Sequence, residues 1–128
     1  MSAICRFLLI FLGAGLGGNA RFCLATWVQA RSTSPFPWGT LVVNVSGGLI
    51  MGAFFSWFIR SNPGPNWQLF VATGLLGGYT TFSAFSLETV QLVEKGLMGM
   101  ALANMLASTL LSFVSCYLGF VGVKAILG

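Results

Sequence analysis

The sequence holds no histidine, no aspartate and only two glutamates, Glu88 and Glu94. That nearly empties it of the usual general acids and bases, and so argues against an enzyme. It also leaves no His/Cys set at metal-ligand spacing. The three cysteines, Cys5, Cys23 and Cys116, form no CxxC pair and lie in apolar surroundings. There a free thiol behaves as a small hydrophobe. Charge is scarce overall: 6% of the 128 residues are charged, against 56% hydrophobic. Soluble proteins carry about 25% charged residues, and this chain could not cover itself in water with so few. It is therefore an integral membrane protein of one domain. The basic residues Arg6, Arg21, Arg31, Arg60, Lys95 and Lys124 are scattered singly. The net charge of +4 is thus no nucleic-acid footprint.

What is present is a series of apolar runs. Four of them cover 4–28, 38–59, 67–93 and 97–127, each near or above the ~20 residues needed to cross a bilayer. The start of the first, Arg6 followed by apolar and then small residues, has the outline of a signal peptide. It continues to Val28 and further spans follow, so it is read as a retained span. Pro35, Pro37, Pro63 and Pro65 cluster in the first two connections, where turns belong. Trp27, Trp38, Trp57 and Trp67 fall near span ends, as an interfacial aromatic belt requires. Gly13 and Gly17, and Gly48 and Gly52, form small-xxx-small pairs that let helix backbones approach closely.

The third run contains poor helix material. Gly74, Gly77 and Gly78 each weaken a helix by roughly 1 kcal/mol relative to Ala. The hydroxyls of Thr80, Thr81, Ser83 and Ser86 compete for backbone partners. A broken membrane helix is expected here. Non-helical backbone at membrane depth survives only when buried in protein or lining a polar cavity. Phe82 and Phe85 share one face if a helix resumes after the break. A phenyl ring has a positive edge. Ring edges, together with amide and hydroxyl donors, can hold a small anion and still release it.

Asn104, Ser108, Ser112 and Ser115 recur at spacings that place them on one face of the last span. Such a stripe is either interhelical glue or a ladder of donors along a pore. Asn44 stands alone in the apolar second span and adds an amide at similar depth. Arg21 lies within the first span, so it needs a water-filled vestibule or snorkels to the interface. Glu88 follows the break by a few residues and marks one mouth of a pathway. The basic residues divide three against three between the two sides, which gives no positive-inside bias. The chain is therefore expected to insert both ways up. Opposite copies would pair about a two-fold axis in the membrane plane.

These residues resemble a known family. Gly77-Gly78-Tyr79-Thr80-Thr81-Phe82-Ser83-Ala84-Phe85-Ser86, with Gly39-Thr40-Leu41-Val42-Val43-Asn44 upstream, is similar to the Fluc/CrcB fluoride channels, and the likeness covers essentially the whole chain. The resemblance implies an all-α integral membrane fold of four transmembrane helices with a break in the third. It implies a dual-topology antiparallel homodimer set in lipid in the bacterial inner (plasma) membrane. Such a dimer exports fluoride passively through two pores. It assigns Phe82 and Phe85 to an aromatic box, with Asn44 as polar partner and Thr81 and Ser83 among the nearby hydroxyls. It puts Ser108 and Ser112 on a hydroxyl track, Arg21 in a vestibule and Glu88 just beyond the box. It also implies a structural sodium ion held by the backbone carbonyls of Gly77 and Thr80 from both subunits. Ala84 stands where a Thr is common, and Asn104 where some members carry an aromatic.

Two other classes stay in view. A small proton-coupled multidrug antiporter also has four short spans, but it needs a deep acid, and the first span has none. A structural membrane subunit would need no transport residues at all.

Overall fold

A computed structural model describes residues 1–128, and every regular element in it is helical. Helix α1 is Ala3–Gln29, started by the Ser2 hydroxyl, which accepts from Cys5 N at 3.3 Å. Helix α2 is Trp38–Ser61 and ends on Asn62, whose φ of 45° is the left-handed cap that stops a helix. The Gln29 amide ties the intervening loop: its Nε2 donates to Phe36 O at 3.0 Å and its Oε1 accepts from Gly39 N at 3.1 Å.

The third stretch, α3, covers 65–79. It opens with one α turn at Pro65–Trp67, widens into a π-helix over Gln68–Leu76, and closes with an α turn at Gly77–Tyr79. Thr80 and Thr81 are extended. Helix α4, Phe82–Glu94, follows at once. A turn at Gly96, with φ 74°, leads into α5, Met98–Leu127.

Helices α1, α2 and α5 are long and apolar enough to cross a membrane. At 1.5 Å per residue, neither 65–79 nor Phe82–Glu94 alone reaches the ~30 Å of a hydrocarbon core.

Small residues set the packing. Helix α2 lies on α5 and α1 lies on α3. A Cβ on Gly52 would run into the Cys116 carbonyl, and one on Gly17 into the Leu75 carbonyl. The glycine pairs are thus contact points between backbones. Gly74 and Gly78 belong to the same contact: a Cβ there would meet Gly13 and Ala14 respectively. The sequence points to these glycines as helix breakers. Both are helical, however, and the break falls on the two threonines after them.

Little of the apolar surface is buried by the single chain. Leu41, Val43, Leu76, Leu92 and Ala101 form a thin core, whereas Phe7, Phe11, Phe22, Leu106, Phe113 and Tyr117 are exposed. Large bare apolar faces suit lipid or a second protein surface rather than water.

Overpacking a close contact costs about 1–3 kcal/mol. Gly52→Val is therefore expected to lower the thermal midpoint of the detergent-solubilised protein. Gly15→Ala meets no neighbouring atom and should leave it unchanged.

Candidate functional site

At the break the backbone trades helical partners for side chains. In a continuous helix Thr81 N would donate to Gly77 O, and Ala84 N to Thr80 O. Instead Thr81 N donates to Asn44 Oδ1 at 2.8 Å, and Ala84 N donates to Thr81 Oγ1 at 3.1 Å. Asn44 also donates from Nδ2 to Thr81 O at 2.9 Å. One amide from α2 thus satisfies both backbone groups of Thr81, which is only 7% exposed. Thr80 folds back differently: its N and its Oγ1 both donate to Leu76 O, at 3.0 and 2.9 Å. The carbonyls of Gly77 and Thr80 thereby lose the donors that a helix would supply. They lie at the C-terminal end of α3, where the helix dipole is negative and suits a cation.

On the other side of the break is a groove of about 390 Å3. Asn44, Thr81, Phe82, Phe85, Ser108 and Ser112 all line it. The groove carries no charged side chain. The Phe82 and Phe85 rings stand 5.5 Å apart between centroids, tilted by 56°. Phe82 is 80% exposed, so its ring faces outward from the single chain. Helix α4 begins at Phe82, and the positive end of its dipole favours an anion there.

The structure therefore brings Asn44, Thr80, Thr81, Phe82, Phe85, Ser108 and Ser112 together. Ser83 is exposed and outside the groove lining, 3.3 Å from Thr81 Oγ1. Arg21 is half-buried on α1 and lines no cavity described here. Glu88 sits elsewhere, in a separate cavity of about 320 Å3 with Gln29, Gln91 and Lys95. Its Oε1 accepts from Thr40 Oγ1 at 2.7 Å, while Oε2 is buried without a partner.

The serine stripe is divided in use. Ser115 donates to Val45 O at 2.9 Å and acts as glue between α5 and α2, while Ser112 faces the groove. Sequence reasoning missed Thr89, whose Oγ1 accepts from Asn104 Nδ2 at 3.0 Å. Its one legible signal was a hydroxyl seven residues beyond Phe82, on the same helical face.

An all-helical bundle with three apolar crossing helices, wrapped in exposed hydrophobic surface, defines a membrane protein. Its sequence matches the profile described as CrcB-like protein, Camphor Resistance (CrcB), over residues 8–120, and the chain belongs to that family. It is 40% identical over 120 residues to the Fluoride-specific ion channel FluC 2 of Nitrobacter hamburgensis, covering 93% of this chain and 97% of the relative. It is 42% identical over 122 residues to the Fluoride-specific ion channel FluC of Marinobacter nauticus, covering 94% and 96%. The channel of the same name from Rhizobium meliloti is 41% identical over 122 residues, covering 94% and 97%.

A hydroxyl cap of the Thr81 kind contributes about 0.5–2 kcal/mol. Thr81→Val should destabilise the detergent-solubilised protein by that order, measured by thermal unfolding, and Thr81→Ser, which keeps the capping hydroxyl, should retain most of the natural stability.

Proposed function

We propose that the chain is a passive fluoride channel that works as a pair of antiparallel copies in the bacterial inner membrane. The observation that carries this reading is the uncharged groove at the helix break, where the Phe82 and Phe85 rings meet an amide and hydroxyls. Ring edges and neutral donors attract an anion, and no fixed cation holds it too tightly for conduction. The relatives, named as fluoride-specific ion channels, agree with a small anion as the cargo.

The exposed Phe82 ring supports a second copy as the missing wall. So does the even division of basic residues between the two sides, which gives neither orientation an advantage. A two-fold axis in the membrane plane would bring both breaks to the centre of the pair. There the carbonyls of Gly77 and Thr80 fit a structural sodium ion, because their helical donors are diverted to side chains. Carbonyls at unwound backbone and half-helix C-termini are favourable Na+ ligands. Bound there, the ion would neutralise oxygen dipoles that otherwise repel one another. Arg21 and Ser83 enter the pathway, in this reading, through the mouths and the partner surface.

Hydrogen fluoride crosses membranes uncharged and dissociates in a more neutral cytoplasm. An inside-negative potential drives the trapped anion out with about 2.3 kcal/mol per 100 mV. No coupling acid is required.

Liposomes containing the purified protein should release fluoride rapidly without a proton gradient and retain chloride, measured with ion-selective electrodes. Phe82→Ile and Asn44→Asp should each abolish or sharply slow the release. Unchanged rates in both would rule out this pore. A tag at the C-terminus should be found on both faces of the membrane in about equal amounts, as the charge balance requires. Finding every tag on one side would exclude the antiparallel pair.

A further inference from the structure

A chain of side-chain hydrogen bonds runs from the break into the groove, and its direction is fixed by where it starts. Thr89 Oγ1 donates to Phe85 O at 2.7 Å. A carbonyl can only accept, so the Thr89 proton is committed there. Thr89 Oγ1 can then only accept from Asn104, and it does so from Nδ2 at 3.0 Å. That turns Asn104 Oδ1 the other way, toward Ser108, whose Oγ donates to it at 3.1 Å. Asn104 is 1% exposed and Ser108 6%, so the amide is shielded from bulk solvent.

Ser108 therefore meets the groove with lone pairs rather than with its proton. Ser112, one turn further along α5, lines the same groove, and its hydroxyl belongs to no such chain. The two serines look equivalent in sequence, yet only the Ser108 hydroxyl has its proton committed to a neighbour.

We propose that Asn104 is a positioning residue: the relay Thr89–Asn104–Ser108 turns the Ser108 proton away from the groove, so that an anion passes Ser108 through a water molecule and takes a direct hydroxyl donor only from Ser112. This deepens the channel reading and rests on it. Thr89 acts on the groove at two bonds' remove. Replacing it with Val releases the Asn104 amide to flip and leaves the Ser108 proton free to point inward.

The test compares fluoride efflux from liposomes for Ser108→Ala in three backgrounds: the natural chain, Thr89→Val and Thr89→Ser. Where Thr or Ser holds position 89, Ser108→Ala should slow efflux at least about five-fold less than it does where Val stands there, because only the Val background presents the Ser108 proton to the groove. With Val there, losing a freed donor to a charged ligand should slow efflux about ten-fold. Ser112→Ala should slow efflux by the same factor in all three. Asn104→Leu should behave as Thr89→Val does, and Thr89→Val keeps the test available if the Leu variant does not fold. An equal effect of Ser108→Ala in every background overturns the relay.

A second readout needs no transport. With asparagine alone labelled, the side-chain amide resonances of Asn104 should shift in Thr89→Val and stay in place in Thr89→Ser. Identical spectra in both also overturn the relay. Absence of efflux from the natural chain would instead sink the channel reading, and the amide spectra would still decide the relay.

Discussion

Thr81 gives up both of its helical hydrogen bonds, and the Asn44 side chain replaces them. An unpaired backbone group inside a membrane protein costs several kcal/mol, so a break there exists only where a partner is already in place. Asn44 is that partner. It stands on α2, which is held against α5 by contacts too close for any residue larger than glycine at Gly52. The break is therefore a property of the bundle, and the groove residues near it inherit their positions from this one amide.

Several features follow from that constraint. The extended pair Thr80–Thr81 ends α3 and starts α4 within two residues, so a negative helix end and a positive helix end face different surroundings. The carbonyls freed on one side suit a cation, and the helix start on the other suits an anion. The Thr81 hydroxyl serves as cap for α4, which leaves Phe82 at the first turn and Phe85 one turn later on the groove wall. Asn44 was expected to act as a polar partner of the anion. Two of its contacts are spent on the backbone, so its first role is to shape the site.

Two cavities separate functions that the sequence places side by side. Glu88 lies six residues beyond Phe82, yet it opens to a different space, bonded to Thr40 and sharing that space with Lys95. The groove itself is free of charge. The carboxylate therefore lies outside the space that the two rings line. Among the hydroxyls, chemical identity is equally incomplete as a guide: Ser115 binds α2, Ser108 binds Asn104, and Ser112 remains to the groove.

The sequence by itself determined the membrane character and the apolar runs. Those depend only on composition and on run length against bilayer thickness. It also located the stretch that would fail as a helix, because Thr and Ser side chains compete for backbone partners locally. Only the tertiary structure decided where the failure falls. Gly74 and Gly78 remain helical where α1 packs against them; the break moves to Thr81 because Asn44, 37 residues earlier, reaches it. Polarity at Ser108 was likewise out of reach of sequence. The direction of a hydrogen bond depends on a partner's partner, and here that chain starts at a carbonyl on another helix.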